Sequence, residues 1–177
     1  MKRSYKTGLI IILQMLFLFA LIGVRYFTLS TGTSILLEAA PEDPWDVFRG
    51  EYVRLEYDVN WIGSGDLHLG EPQNRDVYVL LEKEEKYWHA VGLYVDKPDL
   101  KDSQVFIKGR INYFDEAKRQ YRVFYGIESY YVPEGTGRAL QNTAAFEVLV
   151  RVDRFGSGVI EKVSFLSGEK VLKPESQ

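Results

Sequence analysis

Cysteine is absent from the 177 residues, which excludes a disulfide scaffold, a thiol nucleophile and cysteine-ligated zinc or iron–sulfur sites. Histidine occurs only twice, as His68 and His89, in separate segments and without the paired spacing of a metal centre. His68, with Asp66 and Glu71 nearby, reads as part of a solvated loop, and His89 as the edge of an apolar strand. Charge is unevenly distributed along the chain. Residues 1–33 hold Lys2, Arg3, Lys6 and Arg25 with no acid, so against a net charge of -3 the remainder carries -7. An acidic body is a poor phosphate-backbone binder, and nucleic acid is not among the expected partners. No cofactor motif is present either.

Residues 7–24 form a run of 18 without a charge (TGLIIILQMLFLFALIGV). As a helix rising about 1.5 Å per residue this run is about 27 Å long, close to the thickness of a bilayer's hydrocarbon core. A cleaved signal peptide is the alternative, but the run exceeds a usual h-region and no A-x-A-like site follows it. The basic cluster before the run, against Arg25 alone after it, places the N-terminus in the cytoplasm. The organisation expected is a cytoplasmic tail at 1–6, a transmembrane anchor at 7–27 and one extracytoplasmic β domain at 28–177. A short polar connector at 28–33 would separate anchor from domain.

Beyond residue 33 the pattern has the period of strands. Residues 34–38 form a first short one, ended by the prolines at 41 and 44. In 51–60 (EYVRLEYDVN) Val53, Leu55, Tyr57 and Val59 alternate with Tyr52, Arg54, Glu56, Asp58 and Asn60, as in a half-buried strand. The Gly-, Asp- and Asn-rich stretch 60–74 reads as a loop. Residues 77–82 and 87–95 are apolar on both parities, the mark of central strands, and are joined by a charged turn at 84–86. Residues 105–113 alternate, with Phe106, Lys108, Arg110 and Asn112 on the polar face. Further strands fall at 121–125, 146–153 and 159–166, the last two closed by a turn at 154–158, and one short helix at 137–145 has Thr136 as its N-cap. Seven or eight strands spaced by turn signals predict a mainly β fold: an N-terminal transmembrane helix, then an antiparallel barrel or sandwich with a short helix.

The stretch Phe48-Arg49-Gly50-Glu51-Tyr52-Val53-Arg54-Leu55-Glu56-Tyr57 resembles the signature of the GDYXXLXY family of bacterial membrane-anchored proteins. Gly50, Tyr52, Leu55 and Tyr57 match it, and Glu51 stands where the signature has Asp, keeping the carboxylate on a side chain one methylene longer. The resemblance extends through the apolar run, 30–33, 44–49 and 125–137. It implies a single-span envelope protein of the kind associated with a multi-spanning membrane protein.

Strand parity divides the signature, sending Leu55 and Tyr57 to the core and Tyr52 and Arg54 to the opposite face. Arg49, Glu51, Tyr52 and Arg54 make either a surface ion-pair cluster worth little energy or a recognition patch, since Tyr and Arg are common interface anchors. Residues 125–138 add Glu128, Tyr130, Tyr131, Glu134 and Arg138, either as a binding loop or as a tyrosine brace whose hydroxyls bond backbone. Gly135-Thr136-Gly137 lacks the βα unit that would make it a phosphate loop. An enzyme reading rests on Ser34 close after the apolar run, loosely like membrane-bound Ser/Lys signal peptidases. That chemistry needs a lysine base, and neither Lys108 nor Lys162 sits in such a motif. The residues therefore favour a non-catalytic binding or accessory subunit of a membrane complex, and the resemblance implies an integral membrane protein as its partner. The alternatives are a signal-peptidase-like hydrolase and a β-barrel enclosing a small ligand.

Overall fold

The computed structural model describes residues 2–42, 52–64, 74–131, 145–165 and 171–172. It begins with one helix, α1 (Lys2–Thr31). The apolar side chains along α1 from Leu9 to Val24 face outward on every side, and over residues 6–31 the helix is long and apolar enough to cross a membrane. The polar residues 28–33, expected as a connector, are helical as far as Thr31. The Ser30 and Thr31 hydroxyls donate back to the Tyr26 and Phe27 carbonyls at 2.9 and 2.8 Å, so their polarity is absorbed within the helix.

Eleven strands follow among the described residues: β1 (Thr33–Pro41), β2 (Tyr52–Tyr57), β3 (Trp61–Gly63), β4 (Asp76–Glu84), β5 (Tyr87–Tyr94), β6 (Gln104–Asp115), β7 (Gln120–Phe124), β8 (Ser129–Tyr131), β9 (Phe146–Val152), β10 (Gly158–Phe165) and β11 (Val171–Leu172). They form two antiparallel sheets, one in the order β11-β10-β9-β1-β2-β8 and the other β3-β7-β6-β4-β5, curved barrel-like around one core. Alternation explains the burial. Ile35, Leu37 and Ala39 of β1, Leu55 and Tyr57 of β2, Val77, Val79 and Leu81 of β4, and Val148, Val150 and Val152 of β9 all point inward and are essentially inaccessible. This is the mainly β architecture that the alternation predicts.

Several details differ from the sequence reading. Residues 61–63 and 129–131, taken for loop, are the three-residue strands β3 and β8, too short to show a period. Strand β4 is central, but β5 ends its sheet, and Val91 and Tyr94 lie 52% and 42% exposed. Phe106, placed by parity on the polar face, is buried at 3% exposure because the turn at 153–157 covers it. Gly156 makes that approach possible. A Cβ there would stand 2.7 Å from the Phe106 ring, and its φ of +85° is one that side chains disfavour. The short helix expected at 137–145 lies outside the described residues except at Ala145, which is not helical.

The seam between the sheets carries an ion pair that makes stability pH-dependent. Glu147 of β9 accepts hydrogen bonds from Lys86 and, at 2.7 Å, from the Tyr87 hydroxyl, both at the β4–β5 turn. These two donors, Lys86 first, hold the Glu147 carboxyl below the usual carboxylate range. A depressed folded-state pKa gives stability that is complete above the unfolded value, about 4.3 for Glu, and is lost as pH falls through the lower folded value. Glu147→Gln is expected to lower the urea midpoint at neutral pH and to converge with the parent protein in acid. Urea titrations across that range check it.

Candidate functional site

Strand β2 presents two faces. On the inner face the Tyr57 hydroxyl donates to the Ile127 carbonyl at 2.7 Å, and the Tyr125 hydroxyl donates in return to the Val59 carbonyl. Burial, followed by the Glu128 charge, pushes both phenols well above their ordinary range, so they act as hydrogen-bond donors. Between them Asn60 sits 1% exposed at the end of the 3-10 turn Asp58–Asn60. Its Oδ1 accepts the Tyr57 N–H at 2.6 Å, and its Nδ2 donates to the Val123 carbonyl at 2.6 Å and to Glu128 Oε1 at 3.3 Å.

Glu128 completes the brace. Its Oε1 accepts the Tyr125 N–H at 2.6 Å and its Oε2 the Gly126 N–H at 2.9 Å, while its own carbonyl accepts the Leu55 N–H at 2.7 Å. These bonds fold the 125–128 turn, with Gly126 at φ +79°, against the signature strand. Of the two readings open for this segment, Tyr125 and Glu128 follow the brace. The Glu128 carboxylate is thus engaged by three donors of the fold, the Tyr125 and Gly126 N–H groups and Asn60 Nδ2.

The register of β2 with β8 sorts the tyrosines. Tyr130 faces Val53 and Tyr131 faces Tyr52. Tyr130 consequently turns inward and packs against the core, with burial raising its pKa, whereas Tyr131 stands 75% exposed. Arg54, across from Ser129, is exposed on the outer face. Of Tyr52 the structure describes the backbone, and Arg49, Glu51, Glu134 and Arg138 lie outside the described residues, as do His68 and the Gly135-Thr136-Gly137 segment.

From Arg54 an outer ridge runs across the join between the sheets. Arg54 Nη1 lies 3.7 Å from Glu42 Oε2, Glu42 also binds Arg122 of β7, and Arg122 Nη2 is 3.5 Å from Glu56 Oε1. Glu56 in turn accepts the Trp61 indole N–H at 2.8 Å. The Arg122 guanidinium is packed among rings, 5.2 Å from Trp61, 5.1 Å from Phe124 and 6.0 Å from Tyr113, all three at cation–π distance. Burial works against its charge, but hydrogen bonding to Glu42 and Tyr113 outweighs that and strengthens its hold on the proton.

Local sequence accounts for the assembly. In β7 the alternation sends Tyr121 and Val123 inward and Arg122 and Phe124 outward. A bulge between Ile111 and Tyr113 brings Tyr113, rather than Asn112, opposite Arg122. The sequence reading missed Glu42, Trp61, Tyr113 and Arg122. The outward parity of Arg122 was readable, but its acidic partners come from the other sheet.

Chemically the ridge combines aromatic rings with arginine, the Arg122 charge being paired with Glu42 and Glu56 while its Nε is buried without a hydrogen-bond partner. Ser34 is exposed on β1, paired in register with Arg151. Lys108 is exposed and paired with Asp76 at 3.0 Å. Among the described residues no group of three or more His, Asp or Glu side chains is placed to hold a metal.

A family model described as GDYXXLXY protein matches residues 14–163. No curated protein and no solved structure matches the chain.

Proposed function

The chain belongs to the GDYXXLXY family, and from that membership we propose that it is a single-pass membrane protein whose β domain is a non-catalytic accessory subunit for an integral membrane protein. Helix α1 is the anchor, with the N-terminus in the cytoplasm and the β domain outside it. The outer ridge is the docking face. The observation that carries this reading is the edge strand β8 with Tyr131 exposed, running by way of Arg54 into the paired Arg122 cluster. Such a face offers large, stiff side chains at little cost in conformational entropy, and aromatic and arginine anchors dominate interface energetics.

Crosslinking and affinity capture of the full-length protein from native membranes, followed by mass spectrometry, tests it. A stoichiometric multi-spanning partner is expected, with recovery falling at least about tenfold in the Arg54→Glu, Tyr131→Ala double variant, the loss of a typical hot-spot contact. Recovery of the chain alone, or a partner retained in full by the double variant, would refute the ridge as the docking face.

A further inference from the structure

Helix α1 does not end in a tether. The Thr28 hydroxyl donates to Asp153 Oδ2 at 2.9 Å, and Arg151 Nη1 donates to the Gly32 carbonyl at 3.1 Å. Gly32 fits so closely that a Cβ there would stand 2.5 Å from the Thr28 carbonyl oxygen and 3.1 Å from that of Val152. The turn at 153–157 is therefore fixed to the helix at a known level. Thr28 lies four residues beyond Val24, where the uncharged run ends, a rise of about 6 Å. The headgroup layer on each side of the hydrocarbon core is roughly 5–8 Å thick, so this attachment falls within it.

The turn itself is stiff. Asp153 Oδ1 accepts the Phe155 and Ser157 N–H groups at 2.9 and 3.0 Å, and Gly156 O accepts the Lys108 N–H at 2.8 Å. Phe155 stands at its tip, 61% exposed, with the Arg154 guanidinium 4.7 Å from its ring. On the helix at the same level Tyr26 and Phe27 are 72% and 50% exposed. Aromatic rings favour this depth, and arginine can cover an apolar contact while keeping its charge among the headgroups. The neighbouring 96–102 segment mixes Lys97 and Lys101 with Asp96, Asp99 and Asp102, so net charge does not drive the contact.

Resting on the anchored reading above, we propose that the 153–157 turn is a second membrane contact, with Phe155 seated in the headgroup layer of a phospholipid bilayer so that the β domain lies against the membrane. The absence of cysteine makes the test direct. Single variants Leu16→Cys, Phe155→Cys and Glu116→Cys of the full-length protein are labelled with an environment-sensitive fluorophore and reconstituted in phosphatidylcholine vesicles. Quenching by headgroup spin-labelled lipid is compared with quenching by aqueous iodide. Glu116 follows the end of β6, about 25 Å along the strand from Lys108, and serves as the aqueous reference. The Phe155 position is expected to be quenched by the lipid and to show severalfold weaker iodide quenching than Glu116. A Phe155 label as iodide-accessible as Glu116, with Leu16 shielded, would overturn the second contact and leave the anchor intact. An iodide-accessible Leu16 label would overturn the anchor and this inference together.

Discussion

Asn60→Ala is expected to destabilise the β domain by about 2–4 kcal/mol, a large effect for one exchange of a side chain that carries no charge. The amide is inaccessible and makes three hydrogen bonds, to the Tyr57 N–H, the Val123 carbonyl and Glu128. Removing it leaves a buried donor and a buried acceptor without partners, and each such orphan costs roughly 1–3 kcal/mol. Asn60→Asp separates hydrogen bonding from volume. It can still accept from Tyr57 but places a second carboxylate beside Glu128, so it should be no better than alanine at neutral pH and recover in acid. Urea unfolding, with the midpoint moving and the slope unchanged, is the measurement. An Asn60→Ala midpoint within error of the parent would remove the brace from any account of this fold.

Leu55→Ala should cost about 3–5 kcal/mol, the upper range for truncating a leucine in a close-packed core. Leu55 is 1% exposed, and its N–H is already used by Glu128. The strand is therefore held in register and cannot slide to fill the space. Leu55→Met, which keeps most of the volume, should cost less than about 1.5 kcal/mol. Equal effects from the two would mean that the site collapses freely.

The alternation of Leu55 and Tyr57 against Arg54 was legible because a strand with one buried face writes its period into the chain. The same logic failed at Phe106, where the rule assumes water on the far side of the sheet and the 153–157 turn lies there instead. It failed for β3 and β8 because three residues contain no period. The bracing role of Glu128 was hidden for another reason. A carboxylate in a tyrosine-rich loop looks like a recognition group, yet its donors are the N–H groups of Tyr125 and Gly126 just before it, a bond pattern that depends on backbone geometry. Its contact with Asn60, 68 positions away, exists only once the sheets close. The ridge was hidden likewise, since Glu56 belongs to one sheet, Glu42 follows the end of β1 in that sheet, and Arg122 belongs to the other.

At the junction of helix and domain, one residue, Gly32, stands between the last helical residue and β1, and its backbone is clamped on both sides. With the helix as anchor and the 153–157 turn seated as proposed above, two fixed points hold the domain, and the height of the outer ridge above the lipid is set by the fold, a setting that a slack linker would erase.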